Sequence, residues 1–186
     1  MAATHITVFG GSQPLPGGDA YLEGQRLGRL IASNHWEVLT GGYVGAMEAV
    51  SRGAGEAGGH VIGVTCEEIE NWRKKGPNAW VKEERRFKTL RERLFALIDG
   101  CDAAIALPGG VGTLGEIALM WNQMVIDVIP RRPIILVGDG WKTTFETFFA
   151  RLGNYLHRGD EDLLIFTATV EDAVAELQKY FNHQNQ

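Results

Sequence analysis

Short unbroken apolar runs alternate along the chain with stretches of helical periodicity. Residues 6–9, 36–40, 60–65, 103–107, 134–137 and 163–166 read as strands, with a further short strand near Val81. Runs without polar interruption, the alanine-rich 103–107 above all, predict strands covered on both faces and so a parallel sheet. Between them apolar residues recur at helical spacing. Leu22, Leu27, Leu30 and Ile31 form one stripe, with Arg26 and Arg29 outside and Asp19 as a candidate cap. A helix starts near Ala46, and another spans 87–98 with Leu90, Leu94, Leu97 and Ile98 on one face. Residues 141–157 turn Phe145, Phe148, Phe149 and Leu152 inward, and Thr169 caps a closing helix carrying Val170, Val174, Leu177 and Phe181. The tail after Asn182 is polar and expected to fray. Repeated strand, turn and helix predict right-handed crossovers and a doubly wound, mainly parallel α/β sheet of about seven strands, with helices on both faces. No linker interrupts the pattern, so residues 1–186 are expected to form one domain.

Three of the predicted strands end in glycine-rich turns: Gly10-Gly11-Ser12, Gly41-Gly42-Tyr43-Val44-Gly45 and Pro108-Gly109-Gly110-Val111-Gly112. Ligands of doubly wound sheets sit beyond the carboxyl ends of the strands, where strand order reverses. Three such turns converging there form a stronger signal than any one of them. The last turn leads into a helix near Thr113, whose unpaired N–H groups and positive dipole end suit a phosphate. Glu116 then faces the sugar of a bound nucleotide. A second reading of the same residues stays open: Thr113-Leu-Gly-Glu116 fits a capping box, with no ligand needed. The turn is neither a P-loop nor a dinucleotide fingerprint, because no Lys-Ser/Thr pair follows and the spacing is not GxGxxG.

Residues 66–80 break the rhythm. They are polar, contain Arg73-Lys74-Lys75-Gly76-Pro77 and hold Trp72 and Trp80. The segment reads as an irregular excursion, either a lid over the crevice or a solvated loop. Arg85, Arg86, Lys88, Arg91 and Arg93 give the densest positive charge, most of it expected in solvent. Residues 117–126 are apolar nearly all round, so the helix carrying Met120, Trp121 and Met124 is either buried or buried on one side and in a subunit contact on the other, and a homodimer through it is the favoured expectation.

A net charge of −5 argues against a general nucleic-acid surface, and no apolar run is long enough to cross a bilayer. The start of the chain lacks a signal-peptide pattern, and Cys66 and Cys101 look like reduced thiols of a cytoplasmic protein. The five histidines are scattered, so a metal site is not expected. A GxSxG elbow is missing. Carboxylates, arginines and backbone donors remain, a set suited to cleaving an N-glycosidic bond. There a carboxylate steadies an oxocarbenium-like sugar while a phosphate pinned in the glycine turn positions it.

The run PGGVGTLGE closely resembles the PGGxGTxxE motif of the LOG (LONELY GUY) family, at Pro108, Gly109, Gly110, Gly112, Thr113 and Glu116. VFGGS at 8–12, TGGYVGAMEA at 40–49, and Trp121 with Gln123 extend the likeness over most of the chain. The resemblance implies a Rossmann-like fold, a dimer and no metal or organic cofactor. It also implies hydrolysis of nucleoside 5′-monophosphates of the AMP or cytokinin ribotide class to free base and ribose 5-phosphate. It puts the catalytic pair on Arg93 and Glu116, and the substrate on Gly11, Ser12, Gly41, Gly42, Gly45 and the PGGVGT turn. The chain departs from the family at Leu94, where Lys is common, at Thr40 and Glu48, where Gly is common, and in the Trp72 excursion. A non-catalytic carrier of a nucleotide-like cofactor, such as the molybdenum cofactor carriers of similar fold, is the alternative. Lysine decarboxylation is rejected, because none of the six lysines lies in the glycine turns that would have to hold pyridoxal phosphate.

Overall fold

In the computed structural model, which describes residues 3–184, one seven-stranded sheet runs through the chain. The strands are β1 (His5–Phe9), β2 (Glu37–Thr40), β3 (Val61–Cys66), β4 (Glu83–Phe87), β5 (Ala103–Ala106), β6 (Ile134–Val137) and β7 (Leu164–Thr167). The helices are α1 (Asp19–Ser33), α2 (Ala46–Glu56), α3 (Glu67–Arg73), α4 (Leu90–Asp99), α5 (Val111–Val125), α6 (Asp139–Leu152) and α7 (Val170–Gln184). Met1, Ala2 and the last two residues of the polar tail lie outside the described residues, and α7 continues through the tail as far as Gln184.

The strand order is β4-β3-β2-β1-β5-β6-β7, and every pairing is parallel. The chain builds outward from β1 through β4, crosses back, and builds outward again from β5. The reversal falls between β1 and β5. One apolar layer joins α1, α2 and α7 to the sheet through Leu27, Ile31, Val50 and Val174. The opposite layer joins α4, α5 and α6 through Leu97, Ile117, Met120 and Phe145. This two-faced burial is why β3, β5 and β6 carry no exposed residue. Helices α1 and α2 pack backbone to backbone, since a Cβ at Gly53 would lie 1.8 Å from the Gln25 carbonyl oxygen.

Several expected boundaries move. The strand expected near Val81 is β4, so Phe87 ends a strand instead of starting a helix. Its residues alternate between half-buried and exposed, as fits an edge strand. The excursion contains the short helix α3, which buries none of its residues and so left no apolar stripe to read. Gly18, not Asp19, caps α1, and no side chain closes that end. Within α6 only Trp141 and Phe145 are buried; Phe148 and Leu152 face outward. Thr169 caps α7 as expected, accepting from the Asp172 N–H at 3.1 Å.

The largest correction concerns α5. Met120, Trp121 and Met124 are buried in their own core and offer nothing to a second subunit. The exposed positions of α5 are Val111, Gly112, Leu114, Gly115, Ala118 and Asn122, with Ile126 just past its end. Met120→Lys is therefore expected to cost about 3 kcal/mol or more, from an unpaired charge in a packed core. Ala118→Lys should stay within about 0.5 kcal/mol of the wild type in urea unfolding. Equal stability of the two variants would contradict this assignment of faces.

Candidate functional site

The three glycine turns meet at the β1–β5 reversal. The Gly11 N–H donates to the Pro108 carbonyl at 3.1 Å, and the Ala46 N–H donates to the Gly11 carbonyl at 2.9 Å. Gly45, with φ of 75°, lies so close to the first turn that a Cβ would sit 2.5 Å from Ser12 Cα. The β5 end is pinned again from α6, where the Trp141 indole N–H donates to the Leu107 carbonyl at 3.0 Å. Gly109 closes the junction, because a Cβ there would lie 2.2 Å from Thr113 Oγ1 and 2.9 Å from the Gly11 nitrogen.

Helix α5 starts at Val111, two residues before the expected Thr113, with Gly110 as its N-cap and no side chain closing the end. The capping-box reading therefore fails: Thr113 is buried inside the first turn, and Glu116 lies beyond it. Among the described residues, the N–H groups of Val111, Gly112 and Thr113 have no hydrogen-bond partner. A Cβ at Gly110 or Gly112 would meet no atom within 4 Å. The chain's own packing does not call for glycine at either position.

Glu116 and Arg93 come together from α5 and α4. Arg93 Nη1 lies 3.8 Å from Glu116 Oε1, and both residues are buried. A capping box at Thr89 and Glu92 starts α4 and sets Arg93 in its first turn. The Arg93 Nε–H donates to the Val64 carbonyl at 2.8 Å. Its guanidinium stands 5.7 Å from the Tyr43 ring centroid. Gly41 makes room for it, since a Cβ there would lie 1.8 Å from Arg93 Nη2. Burial outweighs the attraction of this long ion pair and pushes the Glu116 carboxyl up to about 7.

The remaining expected residues divide by what their backbones already do. The N–H groups of Gly11 and Gly42 are committed, to Pro108 O and to Thr40 Oγ1 respectively, so these glycines build the crevice wall and are not free donors. Ser12 is half-buried beside Gly45 with no hydrogen bond to its hydroxyl among the described residues. Pro108, Gly109, Gly110 and Gly112 are exposed at the mouth.

Two residues at the crevice have no counterpart in the sequence reading. Tyr43 lies beneath Arg93 and clamps β3, donating to the Cys66 carbonyl at 3.1 Å and accepting from its N–H at 2.8 Å. Asn78 straps the 67–82 excursion to the second turn: its N–H and side-chain amide donate to Gly42 O at 2.8 and 2.9 Å, and its amide to Tyr43 O at 2.9 Å. An Asn beside Gly-Pro was the available signal for such a turn lock. Both cysteines are free and buried. Among the described residues, no cluster of His, Cys, Asp or Glu could hold a metal ion, and no helix is long and apolar enough to cross a membrane.

The fold and crevice define a Rossmann-like α/β protein with a buried acid–guanidinium pair beside an uncapped helix N-terminus. The chain belongs to the SLOG cluster4 family, whose model matches residues 3–152. It is similar to a probable cytokinin riboside 5′-monophosphate phosphoribohydrolase of Oryza sativa subsp. japonica, 28% identical over 184 residues, covering 94% of this chain and 72% of the relative. A cytokinin riboside 5′-monophosphate phosphoribohydrolase of Mycobacterium marinum is 29% identical over 151 residues, 80% of each chain. Among solved structures, the molybdenum cofactor binding protein of Rippkaea orientalis superposes with a TM-score of 0.77 at 26% identity, covering 97% of this chain and 99% of that one.

The raised Glu116 carboxyl links stability to pH. Below pH 4.5 folded and unfolded chains both hold the proton; between 4.5 and about 7 only the folded chain does. Stability from this group is thus lost as pH rises across that window, by about 3 kcal/mol in all, and levels off above it. Urea unfolding from pH 5 to 8 should show this fall in the wild type and a flatter profile in Glu116→Gln. Identical profiles would mean that Glu116 titrates normally.

Proposed function

We propose that the protein hydrolyses the N-glycosidic bond of nucleoside 5′-monophosphates, giving free base and ribose 5-phosphate. The single observation that carries this reading is the buried Glu116–Arg93 pair on the helix whose N-terminal amides are free. The named phosphoribohydrolase relatives support the same activity at the level of the family.

The free amides of Val111, Gly112 and Thr113 take the phosphate, with the helix dipole favouring its charge. Glycine at 110 and 112 lets the phosphate oxygens reach the backbone. Glu116 lies five residues into the helix from Val111, about 7.5 Å along the axis. That span is comparable to the reach from a 5′-phosphate to the anomeric carbon of its ribose. As a carboxylate, Glu116 steadies positive charge on the sugar and takes a proton from the attacking water; a carboxyl near 7 is suited to that exchange. Arg93 orients the carboxylate and opposes the effect of burial on it. The names of the relatives extend the substrate range to cytokinin ribotides. We further propose a cytoplasmic protein, consistent with two free cysteines, and a homodimer through the outward face of α5 around Ala118. The fold-preserving Ala118→Lys variant should then elute as a monomer on sizing; an unchanged dimer would place the contact elsewhere.

A second reading, a carrier that binds without turnover, is favoured by the near-complete superposition on the Rippkaea orientalis protein. Turnover separates the two. Purine nucleoside monophosphates, AMP among them, are expected to release free base on chromatography, whereas adenosine, lacking the phosphate, should not. Glu116→Gln should lower kcat by about 100-fold or more, on the order of 3 kcal/mol. Wild-type kcat/KM should rise with pH through about 7 as the carboxylate forms. Tight binding of the monophosphates with no release of base would favour the carrier.

A further inference from the structure

Residues 66–78 close over no apolar core of their own, since α3 buries none of its residues. One ion pair of the segment, Glu70 Oε2 to Arg86 Nη2 at 2.7 Å, runs to β4. Its ties to the crevice converge instead on two places beside Arg93, the side chain of Tyr43 and the start of α4.

Tyr43 meets the segment at its start, its middle and its end. Its hydroxyl donates to the Cys66 carbonyl at 3.1 Å and accepts from the Cys66 N–H at 2.8 Å, and Cys66 is the N-cap of α3. The Arg73 guanidinium, near the end of α3, stands 5.7 Å from its ring centroid. The Asn78 amide donates to its carbonyl at 2.9 Å. Arg93 stands at the same 5.7 Å from the same ring. A ring face attracts a guanidinium, so where the ring is held, the guanidinium is held too.

The second place is the backbone that carries Arg93. Glu68 Oε2 accepts from the Leu90 N–H at 2.7 Å. Leu90 opens α4, and a helix leaves its first N–H groups without internal partners. The capping box of α4 serves the N–H groups of Thr89 and Glu92, and Glu68 serves the Leu90 N–H between them. A carboxylate at that end also suits the helix dipole. Arg93 lies in the same first turn. The segment therefore reaches Arg93 twice, through the ring against its side chain and through the helix start that sets its Cα.

We infer that residues 66–78 form a strap that positions Arg93 against Glu116, with Tyr43 and Glu68 as its two positioning residues. Neither residue needs to touch a ligand; both act through Arg93. The inference rests on the working role proposed above for the Arg93–Glu116 pair, and it gives the excursion a task that neither a lid nor a solvated loop would have. Among the described residues, Arg93 is the charged side chain that acts on the Glu116 carboxyl, and it opposes the upward effect of burial. A slack strap lets the guanidinium leave its place 3.8 Å from Glu116, so the carboxyl keeps its proton to a higher pH.

Titration of the protein labelled with ¹³C at glutamate carboxyls, from pH 5 to 9 without ligand, tests this independently of turnover. Loss of one resonance in Glu116→Gln identifies the signal. Tyr43→Leu, Asn78→Ala and Glu68→Ala should each raise the Glu116 midpoint by about half a pH unit or more. Glu68→Gln keeps an acceptor for the Leu90 N–H and should stay at the wild-type midpoint. A direct effect of the Glu68 charge would instead lower the midpoint in both Glu68 variants, and that result would overturn the strap. Val174→Ala thins the core on the opposite face of the sheet and should cost stability without moving the midpoint. An equal rise in Val174→Ala, or no rise in the three strap variants, would also overturn the inference. Should Tyr43→Leu fail to fold by circular dichroism, Asn78→Ala and Glu68→Ala decide. In turnover of AMP the strap variants should lose kcat by about tenfold with KM within about twofold, because the amides of α5 are untouched. Raised midpoints in a protein that releases no base from any monophosphate would support the strap and defeat the hydrolase reading. Base release by the wild type with unmoved midpoints in the variants would do the reverse.

Discussion

The rest of the site depends on a helix N-terminus held in place from both sides and left open at its tip. The carbonyls of Leu107 and Pro108 are committed, one to Trp141 on α6 and the other to Gly11 at the end of β1. The turn cannot slump onto its own helix, and the amides of Val111, Gly112 and Thr113 stay uncapped. Ser, Thr, Asp and Asn are the preferred side chains for closing a helix start, yet α1, α2, α3 and α6, like α5, have no side-chain cap. Thr89 and Thr169 close α4 and α7 in that way. At α5 the Thr and Glu that could have done so are turned to other work, with Thr113 packed under Gly109 and Glu116 paired across to Arg93.

The acid beside that end is costly to keep. Burial sets its carboxyl at about 7, and a guanidinium 3.8 Å away only partly offsets the loss of water. Gly41 removes a Cβ so that the guanidinium fits, Tyr43 supports it with a ring face, and the Val64 carbonyl takes its Nε–H. The turn after β2 and strand β3 thus together hold one arginine in place. Such a trade of stability for a poised group is the expected signature of a working site.

The doubly wound sheet was legible from apolar runs and glycine turns, because buried parallel strands have no solvent face to blur the pattern. Convergence of the turns followed from topology alone. The elements misread are those where neighbours decide. The strand Glu83–Phe87 is charged because it is an edge, and Glu67–Arg73 is helical with nothing apolar to bury. Met120 and Met124 looked like surplus apolar residues, but both belong to the buried cluster that α4, α5 and α6 share with the sheet. Arg93 was reached only through family resemblance, although Thr89-Leu-Arg-Glu92 marks the helix start that positions it. The commitment of the Gly11 and Gly42 amides to internal partners could not be read from spacing, since it depends on which turn lies against which.

The family has relatives named for hydrolysis and structural neighbours named for cofactor binding. Both readings need the same grip on a phosphate, so that grip is the central claim. Titration of ribose 5-phosphate into uniformly ¹⁵N-labelled protein, followed through the backbone amide resonances, addresses it directly. Saturable shifts should concentrate at Val111, Gly112 and Thr113, with Gly11 and Gly42 moving little. Shifts scattered over the surface, or none at the start of α5, would contradict the account.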